Sequence, residues 1–487
     1  MYRSRLKGRL ERDVLDYLSS IDDDLPLLSY DIIGSEAHSI MLYQQGLISR
    51  TELRKILKAL ESAKKMDLDR FVSEYEDVHE ALEAFVVSKA GIDAGGKMHT
   101  GRSRNDQVML DVMMKVRDDI NDVSMRLIEL VSTLLLRAAE NKDSIMPMYT
   151  HLQHAQIGTF SHYLIFYADS LLRDLGRLDQ CYQRVNRSPL GAVAIGGTSL
   201  KIDRNKVASL LGFKGIVENS IDATTSRDAL IEFCSDLALI MLDLSRIAED
   251  FVVWSSSEFN YVELADEVAS SSSVMPQKKN PCPLELMRAK VAFVLGLLFS
   301  IMATVKALPS GYSRDLQDTK KTLFQAVSVT KDSLKVMNSV VKTLQVNRGS
   351  MLRSAEKSYA VSLDVAEELV KKGMSFRQAH KVVGALVKTA SSKDKSLQSL
   401  TYGDIGEVVD KDLIPSMIKI LQKISPKKSL RSRVSVGSPN PREQERMITN
   451  RKKEVYSYHA IVKKRMIIVN RAFEKLARQA KLLTRDG

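Results

Sequence analysis

The chain has 487 residues, 44% hydrophobic and 27% charged. This is an ordinary globular composition, long enough for two to four domains of roughly 100–200 residues, and it argues against disorder. Its three cysteines, Cys181, Cys234 and Cys282, form no CxxC pair and no Cys/His cluster with zinc spacing, which argues against a disulfide scaffold and for a reducing, cytoplasmic setting. The net charge of +12 is uneven, with +15 in residues 351–487 and −3 in the remainder. The preferred reading is a solvated face that attracts a polyanionic substrate, because no nucleic-acid-binding motif accompanies the charge.

The N-terminus, through Asp13, has no apolar run, so no secretory signal is expected. From Asp111 to Glu140, Val116, Ile120, Val123, Leu127, Leu130 and Leu134 recur in steps of three and four. The spacing predicts one uninterrupted helix about 45 Å long. Similar stretches follow at 159–185, 228–254, 284–308 and 320–346, the third stopped by Pro309. Val291 to Val305 is uncharged over fifteen residues, short of the ~20 needed to span a bilayer, so burial inside protein is expected and no membrane is. Several rods with apolar stripes must bury them against one another, which predicts an all-α long helical bundle. Residues 433–436 form the single β-like run noted. The expected division is 1–110 (shorter helices), 111–360 (the long rods) and 361–487 (a basic helical segment).

The chemistry lies in the polar connections, where loops on a rigid scaffold usually carry function. Residues 95–106 place Arg102, Arg104, Ser103 and Asn105 beside glycines; Arg offers a planar fork for carboxylates. The bland alternative is a loop held by capping bonds. Residues 149–156 contain Thr150, His151 and Gln153; His exchanges protons near neutrality, although most histidines are structural. Residues 270–281 run from four serines, Ser272 among them, through Lys278 to Asn280, with Glu285 just beyond. A serine serves as a base only where neighbours stabilise its oxyanion. Residues 311–320 offer Tyr312, Gln317 and Lys320 to an amino-acid or guanidinium group, or simply cap the next helix.

These segments together resemble the fumarase/aspartase superfamily. The Ser-Ser-Val-Met-Pro-Gln-Lys-Lys-Asn run at 272–280 resembles its signature loop. His99 through Gln107, with Asp315-Leu316-Gln317 and Lys320, resembles the argininosuccinate branch in particular, and the similarity runs from about residue 15 to 385. The resemblance implies a three-domain chain, a homotetramer with a twenty-helix core, and active sites shared between chains. It implies β-elimination of argininosuccinate to arginine and fumarate with no cofactor and no metal; another fumarate-releasing lyase, such as adenylosuccinate lyase, is the alternative. It places proton abstraction on Ser272, the acid on His151, its orienting carboxylate on Glu285, and charge stabilisation on Lys278. Substrate binding falls on Ser20, Arg104, Asn105, Thr150, Asn280, Tyr312, Gln317 and Lys320. Ser271, Cys282, Met148 and Thr319 depart from the family pattern without removing any of these groups.

Overall fold

The computed structural model describes residues 10–65 and 75–485. The chain is mostly helical. Eight helices frame the site: α1 (Leu28–Gln44), α2 (Val78–Ala90), α3 (Arg104–Glu140), α4 (Phe160–Val185), α5 (Asp228–Trp254), α6 (Cys282–Val305), α7 (Asp318–Thr343) and α8 (Pro441–Thr484). The stripe expected on α3 is the buried one: Val116, Ile120, Val123, Leu127, Leu130 and Leu134 are all fully enclosed. Each such side chain contributes roughly 1.5–3 kcal/mol. The helix begins seven residues before the periodic run because Ser103 and Asp106 close a capping box in front of it. Two reciprocal cap bonds start a helix in a stretch whose glycines and polar residues read as loop.

Pair contacts fix the direction of each rod. Lys331 pairs with Asp122 and the Thr133 hydroxyl donates to Asn338 at 2.7 Å, so α3 and α7 run parallel. Tyr167 bonds Asp250 and Arg184 bonds Glu232, so α4 and α5 are antiparallel. Arg288 reaches Glu249, which makes α5 and α6 antiparallel too. One end of the bundle therefore gathers the starts of α3, α5 and α7; the other gathers their ends with the starts of α4 and α6.

Between α3 and α4 the expected loop is a β-hairpin, β1 (Ile145–Thr150) against β2 (Gln153–Thr159), with a register shift between Pro147 and Tyr149. Met148 lies at that irregularity, and Gly158 makes room for it: a Cβ there would sit 2.5 Å from Met148 Cγ. The β-like run at 433–436 forms no strand; Val434 and Val436 are 95% and 83% exposed. Without a partner strand, a four-residue alternation has nothing to bond.

Among the described residues two apolar cores form. The first holds the rods and also Met447, Ile448, Val455, Val462 and Leu476 of α8. The second holds residues 355–430 and takes in Ile145 and Ile157 of the hairpin. The expected C-terminal segment thus contributes to both. The apolar segment on α6 departs from expectation. Val291, Val294 and Ile301 are buried, but Phe293, Phe299 and Met302 are 51%, 74% and 52% exposed. A helix apolar all round has two faces to cover, and one chain covers one of them.

Burial between α4 and α5 pushes the carboxyls of Asp174 and Asp236 up to about 7. Raised folded-state values mean that the native chain binds more protons than the unfolded chain between about pH 4 and 7, so stability falls as pH rises through that window. Asp236→Asn is expected to raise Tm at pH 8, by on the order of 2 kcal/mol of stability, and to leave it unchanged near pH 4. Thermal denaturation at both pH values checks this.

Candidate active site

At the end where α3 and α7 begin, four of the expected residues line one cavity of about 350 Å³: Arg104, Asn105, Tyr312 and Gln317. Arg104 is supplied by the first turn of α3, and Tyr312 and Gln317 by the short connection into α7. Acidic residues tie the cations in place. Arg104 lies 3.3 Å from Asp77, and Arg314 lies 3.0 Å from Glu76 while donating to the Leu18 carbonyl at 2.7 Å. Ser20 and Lys320 sit directly behind. The Gln317 amide donates to the Ser20 hydroxyl, which donates to Asp24 at 2.6 Å, and Lys320 pairs with the same carboxylate. Burial raises the Asp24 carboxyl, and Lys320 is the first group to oppose that rise.

Asp24 and Arg314 were not singled out from sequence. Asp24 is the last of three consecutive aspartates, a run that reads as an acidic first turn of a helix. Its distinguishing property, complete burial, is tertiary.

The opposite end holds the remaining residues. His151 and Leu152 form the two-residue turn of the hairpin, with φ of +55° and +56°. Positive φ at both positions defines the type I′ turn, normally Asn-Gly, and each non-glycine residue there costs about 1–2 kcal/mol. Thr150, His151 and Leu152 are exposed. Just beside the turn the hairpin is firmer: the Tyr149 and Tyr261 hydroxyls lie 2.5 Å apart, and Tyr261 donates to Ser354 at 2.6 Å.

Ser272 stands at the neck of the 272–278 loop. Ser270 and Ser271 pair with Asn280 and Lys279 across it. Ser272 Oγ accepts from the backbone N–H of Val274 at 3.3 Å and of Met275 at 3.0 Å. Two N–H dipoles aimed at one hydroxyl oxygen favour negative charge there. The Lys278 carbonyl accepts the Ser272 N–H at 3.2 Å, so these two residues meet through their backbones. Lys279, its neighbour, is held by Glu263 and Asp266 at 3.0 and 2.7 Å. Asn280 is half-buried and Glu285 lies exposed on the first turn of α6. Among the described residues of one chain, no hydrogen bond or ion pair joins His151 to Glu285 or to Ser272.

The geometry therefore brings together Ser20, Arg104, Asn105, Tyr312, Gln317 and Lys320. Thr150, His151, Ser272, Lys278, Asn280 and Glu285 are at the far end of rods about 40–55 Å long. One further buried group has ligand chemistry. His79 Nδ1 lies 3.1 Å from Asp31 and 3.3 Å from Asp111, close enough for the three to hold a cation. The charges of Arg102 and Arg104 already act on both carboxylates, so the positive partner is built in.

The family model described as "Lyase" matches residues 17–296, and the one described as "Argininosuccinate lyase C-terminal" matches residues 359–431. The argininosuccinate lyase of Nitrosopumilus maritimus is 47% identical over 98% of this chain and 99% of its own length. The chain belongs to the argininosuccinate lyase family. A second argininosuccinate lyase, from Methanothrix thermoacetophila, is 40% identical over 97% of both chains. Among solved structures, EDDS lyase in complex with formate superposes with a TM-score of 0.85 at 27% identity, covering 96% of this chain and 94% of that one. The class II fumarase of Schistosoma mansoni shares the fold, with a TM-score of 0.69 at 18% identity over 82% of this chain and 91% of that one. The long-rod architecture of this argininosuccinate lyase family member is thus the fumarase-like one expected from the signature loop.

Lys320 is 4% exposed and Asp24 is fully enclosed. Removing one partner of such a pair strands a buried charge at a cost of about 3–5 kcal/mol. Lys320→Met is expected to lose stability in that range, and Lys320→Met with Asp24→Leu to recover most of it. Urea denaturation midpoints of the two variants check this.

Proposed function

We propose that this lyase converts argininosuccinate reversibly to arginine and fumarate, the last step of arginine biosynthesis, in the cytoplasm. It does so as a homotetramer whose active sites combine loops from different chains. One observation carries the assembly: the two polar sets lie at opposite ends of stiff rods, while α6 leaves an apolar face open along the same bundle. Exposed Phe293, Phe299 and Met302 are costly in water and favourable against a second copy. Packing bundles against one another along that face, with some antiparallel, sets the Ser272 end of one chain beside the Asn105 end of another.

The chemistry follows from charge. Removing hydrogen from the carbon beside a carboxylate builds an aci-carboxylate with two negative charges. Donors fixed in advance lower that barrier most. Ser272 is the base, its oxyanion supported by the Val274 and Met275 amides. Lys278 and Asn280 take the developing carboxylate charge. His151, presented on a strained and exposed turn and oriented by a Glu285, protonates the departing guanidinium nitrogen. Strain of this kind persists where function needs the side chain held out. Arg104 grips a carboxylate; Ser20, Asn105, Thr150, Tyr312, Gln317 and Lys320 hold the rest of the substrate. The C–H and C–N bonds break, C=C forms, and the proton passes to nitrogen. The step balances without electron transfer or a carrier group, so the reading assigns no cofactor and no metal. It assigns no nucleic-acid or membrane partner either.

Ser272→Ala and His151→Asn are each expected to lower kcat by about 10²–10⁴-fold, with the sedimentation coefficient and helical content unchanged. Fumarate release from argininosuccinate is the readout. Unchanged turnover in both variants would refute the roles assigned.

A further inference from the structure

Asp106 follows the substrate-binding pair Arg104 and Asn105, and its side chain is fully enclosed. Both of its oxygens are occupied by backbone. Oδ1 accepts the Ser103 N–H at 2.9 Å, closing the cap of α3. Oδ2 accepts the N–H of Gly191 and of Val193, each at 2.8 Å. The second pair is unrelated to helix capping, because it reaches across 85 residues of sequence to a separate loop.

That loop is bent to fit. Gly191 has φ +87° and Val193 φ +57°. A side chain at Gly191 would meet Arg204 Cγ at 2.6 Å, so the close approach requires glycine. Val193 holds a left-handed conformation that a β-branched residue avoids, and the bond to Asp106 is what its N–H gains there. Arg204 fastens the loop from the other side, donating to the Pro189 and Leu190 carbonyls at 3.1 and 3.0 Å. The next residue, Ala194, turns its carbonyl to accept from the Asn105 amide nitrogen at 3.1 Å. Ile195 then reaches the chain that carries Tyr312: a Cβ at Gly311 would lie 3.2 Å from Ile195 Cδ1.

We infer that Asp106 is a positioning residue for substrate binding: one buried carboxylate sets Asn105 twice, through the cap that starts its helix and through the 191–194 loop that holds its amide. The inference rests on the reading of Asn105 as a substrate ligand. With its amide nitrogen donating to Ala194, Asn105, which lines the cavity, keeps its amide oxygen to accept from a donor such as a guanidinium or ammonium group. A carboxylate is required because three N–H donors converge on it. An amide in its place offers one accepting oxygen and turns an NH₂ against a donor. Asp106 itself is sealed off from the cavity and touches no substrate.

A double-mutant cycle on the intact enzyme separates positioning from simple stabilisation, since residues acting through one another are non-additive. Asp106→Asn is expected to raise KM for argininosuccinate about tenfold or more, with a much smaller change in kcat, the pattern of lost ground-state binding. Asn105→Ala is expected to raise KM at least as much. Adding Asp106→Asn to Asn105→Ala is expected to leave KM where Asn105→Ala alone put it. A further multiplicative rise in the double variant, or a normal KM in Asp106→Asn with only Tm lowered, would overturn the inference. A normal KM in Asn105→Ala would remove the site reading and this inference together. Asp106→Glu keeps the charge and both acceptors but displaces the loop by one methylene. It is run through the same cycle and is held to the same non-additivity if Asp106→Asn yields no folded protein.

Discussion

The length and stiffness of α3 govern everything else in this chain. Its 37 residues form a single rod about 55 Å long. Asn105 sits on the first turn, and the turn bearing His151 follows the last. No rearrangement of loops within one chain closes such a distance while the buried stripe from Val116 to Leu134 stays packed. Under the roles proposed for His151 and Ser272, the rod makes catalysis a property of an assembly, and it determines which residues can share a half-site.

Each end solves a different physical problem. At the Asn105 end, charges are paired in advance: Lys320 with Asp24 in full burial, Arg104 with Asp77 in partial burial, and Arg314 with Glu76 at the surface. Such pairing holds donors in place at little reorganisation cost when a polyanion arrives. At the Ser272 end the groups are exposed or half-buried, and the supports of Ser272 and His151 are backbone. Ser272 is held by two amides, and His151 by a hairpin turn that its sequence does not favour. In the proposed assembly, groups that another copy covers can be left open in the single chain. The uncovered face of α6 obeys the same logic with apolar atoms.

Sequence reading located the rods well because burial imposes period 3.6 on thirty consecutive positions, and no local chemistry competes with it. It located the motif segments because their residue types are unusual between such rods. It missed three kinds of feature. The start of α3 lay in a cap, Ser103 with Asp106, embedded among glycines. The hairpin lay in a stretch with Pro147, no Asn-Gly signal and a His-Leu turn, so neither strand alternation nor turn chemistry announced it. Asp24, Arg314 and the roles of Gly191 and Val193 depended on partners 80 to 300 residues away, and those contacts leave no local pattern. The run 433–436 failed in the opposite sense, since alternation without a partner strand is not a sheet.

The most direct test of the shared-site account mixes two impaired proteins. Asn105→Ala weakens one half-site and His151→Asn disables the other, and at substrate concentrations well below the raised KM each variant on its own is expected to be strongly impaired. Unfolding and refolding them together, or co-expressing them, makes hybrids in which some sites draw both halves from intact chains. The account requires argininosuccinate cleavage to reappear in the mixture well above the sum of the separate variants. Activity no greater than that sum, in hybrids confirmed by native mass spectrometry, would contradict it.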